Sequence, residues 1–432
     1  MPSRLLVVPI FLLALSALAA DWRQFRGPGG SGVSDEKGLP TTWSAKENIV
    51  WRTKLPGPGT SSPIVVGKRI YLTCYTGYGV DRKNIGRMAD LERHLVCLDR
   101  GSGQILWTKE FEPSLPESKY DSDEGDYHGY ASSTPASDGK HLYLFFGASG
   151  VYCLDLDGKK VWRAYVGKNV RPWGSATSPV LYKDLVIVNG SVESGDLVAF
   201  KQATGDEVWR TKGISEAWNT PVLVNVPGGR TELVLNINSG TVAFNPEDGK
   251  ELWRVDGGGG YVCCSVVAHK DIVYVLRQQG VTAIKAGGEG DVTKTNVLWR
   301  AKGQSVVSSP VYHDGKLYWF DSGGMLCCLD AETGKDVYRN RLSGYSGPNH
   351  FFASALIADG KIYGVARGSV GWGLKVVQKG PDIFVCALGS EFKELAHNRF
   401  EDDKSRTNAT PIAHEGCLLM RTDQYLYCIG KK

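Results

Sequence analysis

The sequence predicts an all-β eight-bladed β-propeller, built of four-stranded antiparallel blades and closed by an N-terminal strand around Trp51 in the last blade. Three observations lead there. A phrase of the form Tyr-Cys-Leu-Asp…Gly-Lys…Trp recurs along the chain. A Ser-Pro-type lead-in precedes each copy. The final copy stops without a fourth strand, and residues 48–53 resemble the missing one.

Composition agrees. The chain has 432 residues, of which 53 are Gly, 12 Trp and 19 Tyr. Much Gly with many aromatics favours short strands and tight turns. A hydrophobic share of 42% and a charged share of 22% suit a folded, water-soluble chain. The net charge is only +4, with no basic face or tail, which argues against nucleic acid as a partner.

The repeats set the architecture. The strongest copies end in Trp162, Trp209 and Trp253, two more end in Trp107 and Trp299, and one substitutes Tyr338. The lead-ins are Ser61-Ser62-Pro63, Ser133-Thr134-Pro135, Thr177-Ser178-Pro179, Asn219-Thr220-Pro221, Ser308-Ser309-Pro310 and Ala409-Thr410-Pro411. They degrade to Ser265-Val266-Val267 and Ser354-Ala355-Leu356, which makes eight. After each come an Asp-Gly-Lys-like turn and an apolar pair with Tyr, as in Asp138–Tyr143. One unit is therefore four short strands, with a tight hairpin at Gly-Lys between the third and fourth. Such a sheet cannot bury both faces alone, so units stack on one another and the Trp packs between them. The eighth unit ends at Tyr425–Cys428, and Asn48–Thr53 matches the fourth-strand pattern of Val208–Thr211. Its simplest closure places Trp51 on the outside of the last blade.

Residues 1–20 read as a secretory signal. Arg4 is their only charge, an apolar run covers Leu5–Leu15, and Ala17-Leu18-Ala19 has small-x-small form. The run is short for a membrane span. With no Cys just beyond it, a lipoprotein anchor is not expected. The reading is a secreted or periplasmic monomer without a transmembrane segment in its mature form. Residues 21–47 form an N-terminal extension and residues 48–432 one propeller.

The repeated phrase resembles the tryptophan-docking repeat of the pyrroloquinoline quinone (PQQ) propeller superfamily, over nearly all of residues 22–430. That superfamily includes quinoprotein alcohol dehydrogenases and the propeller lipoprotein of the bacterial outer-membrane assembly machinery. Trp22-Arg-Gln-Phe-Arg-Gly-Pro28 is similar to the start of its short exported members. The resemblance implies eight blades. It implies two functional classes: an envelope scaffold, or a dehydrogenase of alcohols or sugars using PQQ and Ca²⁺. The dehydrogenases hold Ca²⁺ with Glu and Asn and use an Asp base, and no compact set of these falls at equivalent positions here. No Cys-x-x-Cys-His occurs.

Ten cysteines in an exported chain first suggest disulfides. Cys97, Cys153, Cys328, Cys386 and Cys428 occupy one slot of five repeats, too far apart to pair, and read as small core residues. The vicinal pairs Cys263-Cys264 and Cys327-Cys328 remain. The superfamily's dehydrogenases carry a vicinal disulfide near the quinone, whereas adjacency in a Cys-tolerant chain needs no bond. No spacing resembles a zinc site, and no metal ligand set is assigned.

In a propeller, residues just before each first strand line one rim of the central channel. These positions hold His128, Tyr130, Trp173, Trp218, Tyr261, Asn349, His350, Arg406 and Asn408, with Arg171 beside Trp173. Trp173, Trp218, Arg171 and Arg406 would suit a planar anionic cofactor. His128, Tyr130, Tyr261, His350 and Asn408 would suit an envelope protein partner or a small-molecule ligand. The same side chains could also simply plug the channel mouth. Two insertions depart from the repeat. Residues 75–93 carry Arg82, Lys83, Arg87 and Arg93 and are expected on this rim as a lid or docking loop. Residues 112–129 include an acidic run, Asp121–Asp126, that reads as a solvated loop without the spacing of an EF-hand.

Overall fold

Each blade begins with a short inner strand, such as Ile64–Val66, Val180–Tyr182 or Ile412–His414, and in all but blades 2 and 4 the chain turns back within two residues. In blades 6, 7 and 8 both turn residues are left-handed: Asp314 and Gly315 have φ of 45° and 73°, Asp359 and Gly360 of 53° and 68°, Glu415 and Gly416 of 48° and 68°. That is the type I′ geometry that Asp-Gly favours and that matches strand twist. The computed structural model describes residues 21–81, 83–120, 128–345, 351–370 and 377–431. The expected signal segment, residues 1–20, lies outside them.

Eight sheets result, each antiparallel through its four main strands. Blades 1 to 7 span residues 64–111, 136–164, 180–212, 222–256, 267–301, 311–341 and 356–399. Blade 8 combines residues 412–430 with the strand Ile49–Lys54, which pairs antiparallel with Tyr425–Gly430 and sets Trp51 opposite Cys428. The expected closure is the observed one. Among the described residues the only helical segments are three short 3₁₀ turns.

A bulge recurs on the fourth strand of every blade, one residue before the docking position. It turns Leu106, Val161, Val208 and Leu298 outward and the next residue, Trp, toward the following blade. The indole then covers the hairpin glycine of that blade. A Cβ on Gly205 would sit 2.7 Å from the Trp162 ring, and one on Gly249 would sit 2.4 Å from Trp209. These glycines have φ of 77° and 71°, so both backbone and space demand Gly. The Trp162 N–H donates to the Gln202 carbonyl at 2.8 Å and the Trp209 N–H to Pro246 at 3.1 Å. Trp253 differs. Residues 286–296 replace the tight hairpin in blade 5, and Trp253 donates instead to Glu232 of its own blade at 2.6 Å.

The Ser-Pro-type lead-ins form a belt around the channel. The backbone N–H of Ser62 donates to the Thr134 hydroxyl of the next blade at 2.9 Å. The same link runs from Thr134 to Ser178, Ser178 to Thr220, Thr220 to Ser265 and Ser265 to Ser309, each at 3.0 Å. It continues from Ser309 to Ser354 at 3.1 Å and from Ser354 to Thr410 at 3.0 Å. In the degenerate copies Ser265 and Ser354 keep the belt hydroxyl, while Val266 and Ala355 stand where the other copies have proline.

The extension contributes more than the sequence suggested. It runs across the inner strands of six blades. Trp22 bridges Val65, the Arg23 carbonyl accepts from Ser137, and Gly30 approaches Val222. Arg26, 1% exposed, donates to the Pro310 carbonyl. Val33–Ser34 adds a parallel strand inside blade 7, and the Glu36 carboxylate accepts from the backbone of Glu415 and Gly416.

Candidate functional site

The channel holds a cavity of about 290 Å³, to which every blade contributes. Phe25 of the extension lines it from one end, and the belt hydroxyls of Thr220, Ser265, Ser309, Ser354 and Thr410 line its wall. Trp173, Trp218, His128 and Asn408 also face it, as the spacing of the repeats implied. Trp173 and Trp218 stack edge-on with centroids 5.6 Å apart, and Tyr261 caps both, at 4.3 Å from Trp173 and 5.4 Å from Trp218. The Trp218 N–H donates to the Gly174 carbonyl at 2.8 Å. The Trp173 N–H is buried and has no partner among the described residues. Tyr261 is 51% exposed, and Val306, on the cavity wall, is 42% exposed, so the aromatic cluster continues onto the open rim.

His128 bonds to the Ser132 hydroxyl. Burial, assisted by the nearby Arg367 guanidinium, lowers its pKa to about 4, so the ring is neutral at physiological pH. Cys263 lines the cavity and Cys264 lies behind it, its thiol donating to the Ser308 carbonyl at 3.4 Å. Both thiols are unpaired, as are Cys327 and Cys328. Burial pushes Cys263 up to about 12 and Cys264 up to about 11, which makes them inert thiols.

Other expected site residues lie elsewhere. Tyr130 packs with Tyr75 and Tyr78, at centroid distances of 5.3 and 5.6 Å, and its hydroxyl donates to the Ser118 carbonyl at 2.7 Å. It fastens the two insertions to each other, together with the Tyr120 N–H, which donates to the Tyr78 hydroxyl at 2.9 Å. Arg406 is mostly buried against Asp423, 3.0 Å away. Arg171 is exposed beside Glu216 at 3.7 Å. His350, Asn349 and the acidic run 121–126 fall outside the described residues. Around Glu117 lies a group of ionisable side chains the sequence did not reveal. Arg93 pairs with Glu117 at 2.6 Å, and Glu193, held by Ser175, has its pKa pushed up to about 7 by burial.

The family model described as outer membrane protein assembly factor BamB matches residues 77–222 and 238–380. The chain belongs to this family of PQQ-repeat propellers. It is 22% identical to the outer membrane protein assembly factor BamB of Burkholderia pseudomallei (strain K96243), over 72% of this chain and 74% of that one. It is 32% identical to the quinoprotein alcohol dehydrogenase PedH of Pseudomonas putida, over 38% of this chain and 27% of that protein. The crystal structure of BamB from Moraxella catarrhalis superposes with a TM-score of 0.55 at 12% identity, covering 89% of this chain and 97% of that one, which supports the fold.

The site can be tested against the cofactor of the quinoprotein members. A planar polycarboxylate with Ca²⁺ needs cations for its carboxylates and oxygen ligands, carboxylates among them, for the ion. None of the described residues lining the cavity is Asp, Glu, Lys or Arg. Arg406 is already committed to Asp423, and His128 is neutral. The aromatic platform fits a flat ring. The charge pattern does not fit PQQ with Ca²⁺.

Proposed function

We propose that this chain is an exported envelope propeller that binds a protein partner through the aromatic rim of its channel, as a scaffold in outer-membrane protein assembly. The observation that carries this reading is the Trp173–Trp218–Tyr261 cluster, which borders a cavity with no Asp, Glu, Lys or Arg among its described lining residues and reaches the exposed rim. Clustered, partly exposed aromatics beside a desolvated pocket are the usual anchors of protein recognition. The BamB matches favour such a role, and the signal-like residues 1–20 favour export to the periplasm. Quinone-dependent oxidation of alcohols or sugars is the weaker reading, because none of the described residues lining the cavity carries the charges PQQ and Ca²⁺ require.

A photo-crosslinking residue at position 261 tests the proposal in intact envelopes. It should capture outer-membrane assembly proteins, while the same residue at position 68, in the first hairpin of blade 1, should not. Trp173→Ala in the same protein should abolish the capture. Equal capture from both positions, or capture indifferent to Trp173→Ala, overturns the assignment. A PQQ-like absorbance retained after dialysis with PQQ and Ca²⁺ would favour the dehydrogenase.

A further inference from the structure

Blade 1 has an unusually long third strand, Glu92–Asp99, that begins where the 77–91 insertion ends. Glu92 and His94 are two residues apart and share one face. Glu110, on the fourth strand, stands directly across from His94. One potential ligand atom from each of the three lies within 4.8 Å of the others. Both carboxylates are exposed, and neither makes a hydrogen bond or ion pair among the described residues. His94 is 5% exposed. Its Nε2 lies 2.8 Å from the Thr76 hydroxyl, and its Nδ1 is enclosed without a partner.

We infer that Glu92, His94 and Glu110 bind one divalent transition-metal ion at the neck of the 77–91 insertion. An orphaned ring nitrogen in a buried position is costly to leave unpaired, and a metal ion would satisfy it. With the Thr76 oxygen accepting from Nε2–H, Nδ1 carries the lone pair. That is the orientation in which a ligating histidine donates its other N–H to an outer partner. One imidazole and two carboxylates suit Zn²⁺ or Co²⁺, with water completing the shell on the exposed side. Bonds of ~2.0–2.2 Å place tetrahedral ligands about 3.3 Å apart. The two glutamates, exposed and unpaired, can close the remaining gap by side-chain rotation. Thr76 and Glu92 are paired residues at the ends of their strands. The ion would thus tie the insertion's neck to the blade's outer strand.

The mature chain, kept reduced without added thiols, is titrated with Co²⁺ and then Zn²⁺. One equivalent of Co²⁺ should bind with the visible bands of nitrogen and oxygen ligands, show no thiolate charge-transfer band, and be displaced by Zn²⁺. Glu110→Gln, at an exposed position, should weaken binding at least about tenfold, since loss of an outer partner alone costs 10–100-fold. His94→Gln should abolish it, and Glu110→Gln stands alone if that variant fails to fold. The site is overturned by absence of saturable binding, by a thiolate band that assigns the ion to cysteines, or by unchanged affinity in Glu110→Gln.

Discussion

The junction between blades 3 and 4 and the junction between blades 8 and 1 solve the same packing problem differently. At the first, Trp209 covers Gly249, and the Ser178 N–H donates to Thr220. A self-contained apolar cluster fills the space between the two blades. At the second, Trp51 covers Gly103 and donates to the Arg100 carbonyl at 3.3 Å, so the docking device is retained. The belt is interrupted, however: the buried Ser62 hydroxyl has no partner among the described residues. Two buried arginines replace the link. Arg421 donates to the Ser61 carbonyl at 3.1 Å, the Ser61 hydroxyl at 2.8 Å and the Thr73 carbonyl at 2.7 Å. Arg100 reaches His414 at 3.3 Å. The cores on both sides of blade 8 merge into one cluster with Trp22, Leu39 and Trp43 of the extension. A repeat can supply identical contacts between consecutive blades. Where the chain's ends meet, residues outside the repeat have to make the closure.

The largest expected effect follows from that closure. A chain that begins at residue 55 loses the outer strand of blade 8, the Trp51 contact and the extension beneath the channel. Thermal unfolding should show loss of cooperative folding rather than trimming of a tail. A truncated chain that melts cooperatively near the full-length midpoint would mean that the two kinds of junction are energetically independent. An ordinary junction sets the next scale. Trp162 is 8% exposed and rests on Gly205 with its N–H bonded to Gln202. Trp162→Ala should cost roughly 3–5 kcal/mol in chemical denaturation, as for other buried large-to-small changes. A cost under about 1 kcal/mol would remove the indole from the contacts that hold neighbouring blades together.

The contrast also explains what could be read from the chain. The eight lead-ins, the docking tryptophans and the Trp51 closure were legible because each is written several times in equivalent positions. Trp173, Trp218, His128 and Asn408 were placed at the channel by the same periodicity. Tyr130 and Arg406 occupy equally periodic positions, yet their side chains are claimed by non-repeating neighbours: Tyr75 and Tyr78 in one case, Asp423 in the other. The role of Phe25 was hidden because the extension carries no repeat. The His94–Glu110 pairing could have been found. The register that sets Cys97 against Trp107 fixes it three residues away.

The smallest effect makes the sharpest test, since it compares the same residue type in one belt. Ser178 and Ser62 are both buried lead-in hydroxyls. Ser178 accepts the Thr134 N–H, so Ser178→Ala leaves a buried amide unpaired and should cost about 1–3 kcal/mol. Ser62 uses only its backbone N–H in the belt, which alanine keeps, and its own hydroxyl is unsatisfied. Ser62→Ala should therefore be neutral within about 0.5 kcal/mol or slightly stabilising, because it removes a buried polar group that bonds to nothing. Equal costs at the two positions would mean that Ser62 Oγ accepts a bond from blade 8 in solution. The belt would then be a closed ring, with Arg421 reinforcing the seam rather than substituting for a missing link.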